Sequence, residues 1–236
     1  MILKRIKRKI HNLLHPKVGE IWMLHRVVEK RSEKPEQRVL EVTSEWLEQE
    51  ILEYQKKGYT FVSINDVSLF QVSGFKFHRF VCVTFDDGYR DNYTLAYPLL
   101  KRLDVPFTVY VTTGFIDNQM PMWWYPNEKL GISTDELKML AADPLCTIGA
   151  HTVSHPKLDT LSYEEQSKEI AASKLELERL LGHPVQHFSF PHGAHNADTL
   201  AICRELGFKT NVMAWGGPVR LGNNRFLMPR MNMKQP

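Results

Sequence analysis

Short apolar runs recur along the chain near residues 19–24, 60–64, 80–85, 107–113, 146–150, 187–190, 209–214 and 226–229, and most are separated by stretches with helical spacing. The run Phe80-Val81-Cys82-Val83-Thr84-Phe85 is too short for a helix and rich in β-branched and aromatic residues, which predicts a fully buried strand. Between the runs, Trp46, Leu47, Ile51, Leu52 and Tyr54 mark a helix over 45–57, and a second helical pattern over 91–103 opens at Asp91. Ser133 stands three before Glu136 and Ser162 three before Glu165, a capping-box spacing that starts helices at 134–142 and 163–181. Gly182 with Pro184 ends the latter, and Asn196 caps a helix over 197–206 that stops at Gly207. Strands alternating with helices predict a parallel α/β architecture, and 236 residues suffice for one domain, residues 18–236, with a substantial core. The pattern alone leaves a closed barrel and an open doubly wound sheet equally open.

In parallel α/β folds, functional groups gather at the carboxyl ends of strands. Two such ends carry metal-ligand chemistry. Asp86 and Asp87 close the 80–85 run ahead of Gly88, and His151 follows the run Cys146-Thr147-Ile148-Gly149-Ala150, with His155 four positions on. Pro156 biases His155 away from helix, so both imidazoles are expected on one loop. One carboxylate and two imidazoles form a plausible zinc site with an open position for water, and the second carboxylate is left for acid–base work.

The motifs Thr84-Phe85-Asp86-Asp87-Gly88, His151-Thr152-Val153-Ser154-His155-Pro156 and Phe188-Ser189-Phe190-Pro191-His192-Gly193, in that order, resemble those of the polysaccharide deacetylases, carbohydrate esterase family 4. The resemblance covers roughly residues 18–230. It implies a distorted (β/α) barrel of about seven strands and a divalent metal, most simply zinc, with cobalt or nickel as alternatives. It further implies Asp87, His151 and His155 as ligands, Asp86 as the base, and the backbone N–H of His192 as an oxyanion donor. Pro191 and Gly193 would fix that last turn, and Tyr89, Pro191 and Trp215 complete the candidate substrate contacts. The family favours Tyr where this chain has His192. Two further departures stand out. A closing Leu-x-x-His motif is absent, since no histidine follows His195, and Ser189 occupies a position where some members carry an arginine. Arg230 is the candidate to supply that charge. His25, just after the first run, is the candidate acid or substrate contact, with His195 as a weaker alternative. The aromatic stretch Met120–Tyr125 suits either sugar stacking or lid packing.

Charge adds one feature. Residues 1–17 hold six cations and no acid, and the remaining 24 basic side chains face 27 acidic ones, so the net +3 belongs to this segment alone. Ile2, Leu3, Ile6, Ile10, Leu13 and Leu14 run between the cations as a helical stripe, which fits a helix on an anionic membrane surface or one packed on its own domain. The segment lacks the apolar run of a secretory signal, and no stretch reaches the roughly 18 apolar residues of a membrane span. Cys82, Cys146 and Cys203 are widely spaced and read as core residues of a reducing compartment, so a cytoplasmic location, peripheral at the inner membrane surface, is expected. Nucleic acid is not an expected partner, because the body has no basic stripe. Function is expected to be metal-dependent removal of acetyl from an N-acetylated amino sugar. The alternatives are amide or imide hydrolysis on a non-sugar substrate and a non-catalytic glycan-binding module.

Overall fold

The computed structural model describes residues 15–73 and 79–236. Most of the basic N-terminal helix expected over residues 1–17 lies outside the described residues. The strands are β1 Lys17–Leu24, β2 Arg26–Val28, β3 Glu41–Thr43, β4 Thr60–Phe61, β5 Phe80–Phe85, β6 Phe107–Val111, β7 Cys146–Ala150, β8 His187–Ser189, β9 Thr210–Gly216, β10 Val219–Arg220 and β11 Met228–Asn232.

Seven of these close a barrel. Neighbours pair parallel in the order β1, β5, β6, β7, β8, β9, β11, and β11 returns to β1 with Trp22 opposite Met231. The chain is therefore a closed, all-parallel seven-stranded barrel wrapped by helices, which decides between the two architectures the sequence left open. β4 pairs parallel beside the start of β5, β10 runs antiparallel to the start of β1, and β2 and β3 form a separate short parallel pair.

Strand alternation divides the core in two. Ile21, Cys82, Tyr110, Val212 and Met228 belong to an inner cluster, while Trp22, Val81, Val83, Phe85, Val109 and Phe188 pack outward under the helices. A closed barrel leaves little interior room, and Gly19 and Gly149 supply it. A Cβ at either position would run into the ring of Phe80 or Tyr110 respectively.

The helices at Thr134–Ala141, Tyr163–Leu181 and Ala197–Glu205 follow their predicted caps, with capping boxes at Ser133, Ser162 and Asn196, and the helix Ser44–Lys56, predicted from its apolar spacing, is capped by Thr43. Two segments depart. The 60–64 run is a strand only through Phe61, because Ser63 and Asp66 cap each other and start the helix Ile64–Ser73. That helix crosses the amino-terminal ends of the strands, where Asn65 bonds Thr147 and His187. The 91–103 pattern is a π-helical turn, Asn92–Ala96, ahead of an α-helix over Tyr97–Arg102, an irregularity often found beside functional sites. The three cysteines are buried and unpaired. Among the described residues no helix is long and apolar enough to cross a membrane.

Candidate metal and catalytic centre

Five barrel strands deliver side chains to one rim. β1 ends at Leu24 and hands over to His25; β5 leads to Asp86 and Asp87, β7 to His151, β8 to the Pro191–Gly193 turn, and β11 carries Arg230. His25, Asp86, Asp87, His151, His155 and His192 line a single cleft of about 230 Å³. A larger groove of about 780 Å³ runs along the helix Tyr163–Leu181 and contains none of these residues. The smaller cleft is where the chemistry converges.

Asp87, His151 and His155 form a buried group whose ligand atoms lie within 4.8 Å of one another. Asp87 Oδ1 is buried and accepts no hydrogen bond, but His151 Nε2 and His155 Nε2 face it at 3.4 and 3.3 Å. The His151 Nδ1–H donates to the carbonyl of Ser189 at 2.7 Å, which leaves a lone pair on Nε2 of the neutral ring. Lone pairs pointing at a carboxylate repel unless a proton or a metal cation sits between them. A tetrahedron with metal–ligand bonds of about 2.0–2.1 Å has edges of about 3.3 Å, which the two Asp87–imidazole distances match. Burial opposes the charge of Asp87, yet His155 and His151, when their rings carry a proton, hold its carboxyl well below the ordinary 3.8, so the carboxylate is ionised opposite either a proton or a metal ion.

Asp86 is placed differently. It continues the inward-pointing set Phe80, Cys82 and Thr84 of β5 and meets Arg230, which is 1 % exposed inside the barrel. Arg230 donates from Nη1 to Asp86 Oδ1 at 2.8 Å and from Nη2 to Asp86 Oδ2 at 2.6 Å. Its remaining donors reach Thr84 Oγ1, Ser189 Oγ and the carbonyl of Met213 at 3.0, 2.9 and 2.6 Å. All five guanidinium N–H groups are thus used, which makes burial of the charge tolerable. Burial raises the Asp86 carboxyl, but Arg230, together with His151 and His25, outweighs it and holds the group below its ordinary value. The candidate Arg230 therefore stands against the candidate base, and Ser189 bonds both partners, with Ser189 Oγ 3.3 Å from Asp86 Oδ2.

The backbone bends sharply at each corner of the site. Asp87, Thr152, His155 and His192 hold φ at 74°, 67°, 61° and 57°, although none is glycine. Such conformations cost on the order of 1–3 kcal/mol each and persist where surrounding contacts over-determine them. Gly88 follows at φ 79° and lets the turn close against Val111.

His25 lies in the cleft, its imidazole kept neutral by burial against the opposing pull of Asp87 and Asp86. The amide of Asn92 donates to the His25 carbonyl at 2.8 Å, and Asp91 accepts from the Val27 N–H and from Arg26 Nε at 3.2 and 2.8 Å. Burial pushes the Asp91 carboxyl up to about 6 despite Arg26. The His192 ring stands 4.5 Å from that of His155. Trp123 and Trp124 also line the cleft, and Trp123 is 66 % exposed.

Three predicted substrate contacts are not among the residues lining the cleft. Tyr89 is fully buried, and its hydroxyl accepts from Trp124 Nε1 at 2.6 Å, so it supports the aromatic wall from behind. Pro191 is buried within its turn. Trp215 is 61 % exposed and rests beside Gly193, while Ala214 forms that wall of the cleft. The weaker candidate His195 bonds the Gly193 carbonyl and stacks on Phe190 outside the cleft lining. Sequence reasoning missed the opposite wall, Glu36, Val39 and Leu40, carried by the segment between β2 and β3. It also missed Glu169, which bonds the histidine loop. Neither has a distinctive spacing.

The family model for polysaccharide deacetylases matches residues 77–211, more than half of the chain and a span that includes Asp86, Asp87, His151, His155 and His192. The chain belongs to the polysaccharide deacetylase family. As a polysaccharide deacetylase it is a hydrolase of carbon–nitrogen bonds other than peptide bonds. His25 and Arg230 lie on either side of the matched span and reach the cleft only through barrel closure. Similar proteins include YxkH of Bacillus subtilis (strain 168), classed with the polysaccharide deacetylases, at 25 % identity over 90 % of this chain and 70 % of its own. A poly-β-1,6-N-acetyl-D-glucosamine N-deacetylase of Staphylococcus aureus is 23 % identical over 97 % of this chain and 81 % of its own. Among solved structures, the Streptococcus pyogenes deacetylase PplD, in complex with acetate, superposes with a TM-score of 0.78 at 25 % identity, covering 93 % of both chains. IcaB from Ammonifex degensii shares the fold, with a TM-score of 0.80 at 22 % identity over 92 % of both chains.

Proposed function

We propose that this polysaccharide deacetylase is a metal-dependent N-deacetylase that hydrolyses the acetamide of an N-acetylated amino sugar in a glycan, releasing a free amine and acetate. The observation that carries the reading is the lone-pair-rich group Asp87, His151 and His155 beside an ionised Asp86 in one cleft. The Staphylococcus aureus relative acts, by its name, on poly-β-1,6-N-acetyl-D-glucosamine, and PplD was solved with acetate, which supports an N-acetyl substrate.

Asp87, His151 and His155 would hold the cation; two nitrogens and one oxygen suit zinc, and cobalt or nickel suit the same donors. Such an ion lowers the pKa of water to about 7 and polarises the amide carbonyl. Asp86 takes a proton from the attacking water, with its carboxylate oriented by Arg230. The carbon–oxygen bond forms, the carbon–nitrogen bond breaks, and the proton held at Asp86 must reach the departing nitrogen. His25, neutral and in the same cleft, is the group to relay it. The N–H of His192 steadies the oxyanion, a contribution of roughly 10²–10³ in kcat. Trp123 offers an exposed face for a pyranose ring. The basic stripe of residues 1–17 supports a peripheral contact with an anionic membrane, which co-sedimentation with anionic vesicles would test by its loss at high salt.

Incubation of the metal-loaded enzyme with β-1,6-linked N-acetylglucosamine oligomers tests the substrate. Stoichiometric acetate and free amine are expected. Turnover of small cyclic amides but not of any N-acetylated oligomer would overturn the sugar assignment.

A further inference from the structure

The loop that carries the two histidines is held from outside the cleft. Between His151 and His155 the backbone passes through left-handed conformations at Thr152 and again at His155, positions where a side chain ordinarily disfavours the turn. Thr152 Oγ1 accepts from the His155 N–H at 3.1 Å, and the Val153 carbonyl accepts from the Gly114 N–H at 2.8 Å. The loop's apex then presents three donors to one carboxylate. Glu169 Oε2 accepts from the backbone N–H groups of Val153 and Ser154 at 2.9 and 3.0 Å, and Glu169 Oε1 from the Ser154 hydroxyl at 2.7 Å.

Glu169 stands on the helix Tyr163–Leu181, whose ends are fixed by the Ser162 capping box and by Gly182 in the left-handed conformation. Ile170, next along, is buried in the outer core. The carboxylate is therefore anchored on a rigid, docked element, and hydrogen bonds to a charged acceptor are the stronger class. His155, by contrast, has a buried Nδ1 with no hydrogen-bond partner among the described residues, and apart from the Asp87 contact its ring is held by packing against Trp124, His151 and His192. With no hydrogen bond at Nδ1 to fix the ring, the loop backbone sets the direction in which it leaves the chain.

We propose that Glu169 is a positioning residue for the metal site: by gathering the three donors at Val153 and Ser154, it fixes the backbone that aims His155 at Asp87. This rests on the metal reading of the site. The role predicts a specific defect. Loss of Glu169 weakens retention of the ion, whereas the protein saturated with ion keeps most of its turnover, because Glu169 lies outside the cleft lining.

The test is Co²⁺ and Zn²⁺ affinity of the full chain by competition with a chromophoric chelator, alongside thermal unfolding and the visible spectrum of the Co²⁺ form. Wild type, Glu169→Ala, Glu169→Gln, Ser154→Ala and His155→Ala are compared. Supports around ligands typically contribute 10–100-fold in affinity, so Glu169→Ala should bind about 10–100-fold more weakly, with an altered Co²⁺ spectrum. Ser154→Ala, which removes one of the three donors, should lose less. Glu169→Gln keeps a carbonyl for the two backbone N–H groups and should recover most of the affinity, which a general loss of stability would not reproduce. If Glu169→Ala fails to fold, Glu169→Gln and Ser154→Ala carry the comparison. Wild-type affinity and spectrum in all the Glu169 and Ser154 variants, with binding lost in His155→Ala, would overturn the role of Glu169 alone. A wild type that holds no ion, or a His155→Ala variant that holds it equally well, would overturn the metal reading itself.

Discussion

Asp86 and Asp87 are adjacent, equally buried carboxylates, and they have opposite surroundings. Asp86 follows the alternation of β5 into the barrel and is hydrogen-bonded to a fully used guanidinium and to the Ser189 hydroxyl, with no imidazole hydrogen bond. Asp87 leaves that alternation at φ 74° and finds two imidazole nitrogens and an oxygen with no hydrogen bond. One carboxylate is satisfied by the protein and the other is not. A buried group left without a hydrogen bond is one that an ion could satisfy, and a group paired with a fixed cation keeps its charge; this contrast underlies the proposed roles of ligand and base. The division of labour is thus written in which hydrogen bonds are made, rather than in the two residues' identity.

The largest effect that would break this contrast lies on the Asp87 side. His151→Ala or His155→Ala should abolish ion retention and turnover together, measured by elemental analysis and acetate release, because only two ligands remain. On the Asp86 side, Arg230→Met leaves a buried carboxylate without its partner, and a loss of about 3–5 kcal/mol in unfolding free energy is expected. Arg230 holds the Asp86 carboxyl below its ordinary 3.8, so the pair stabilises the fold above that pH and loses its contribution as pH falls through the lowered value. Removing Arg230 raises the Asp86 pKa. The acid limb of the kcat/KM profile should therefore move to higher pH, while ion content at neutral pH is unchanged. Ser189→Ala removes one hydroxyl that touches both Asp86 and Arg230, and about 1 kcal/mol of stability with a modest fall in kcat is expected. The smallest effect sharpens the contrast by missing it. Ser162→Ala deletes a helix cap far from both carboxylates and should cost about 1 kcal/mol in denaturation without changing ion affinity or the pH profile.

Local signals carried much of this structure in the sequence. The run 80–85 is β5, the run 146–150 is β7, and the capping box at Ser162 with Gly182 bounds the helix Tyr163–Leu181. The Asp-His-His group was legible because its members fall at two strand ends, and family motifs pointed to which aspartate faces the imidazoles. Barrel closure was not legible from pattern, since it depends on β1 pairing with β5 and β11 across most of the chain. The left-handed corners at Asp87, Thr152, His155 and His192 carried no glycine to announce them. Tyr89 looked like a substrate contact from its place beside the first motif, yet the turn at Gly88 sends it beneath Trp124. Trp215 near the end of β9 points to the surface, and the smaller Ala214 takes the wall. Glu169 is one of several glutamates on a long amphipathic helix, and only the fold distinguishes it.

The most direct measurement crosses the two carboxylates: bound ion per chain and acetate released from N-acetylglucosamine oligomers, for wild type, Asp86→Asn and Asp87→Asn prepared identically. Asp86→Asn should bind one ion per chain and release acetate about 10²–10⁴ more slowly, and Asp87→Asn should lose both. Loss of the ion in Asp86→Asn, or its full retention in Asp87→Asn, would contradict the assignment of base and ligand.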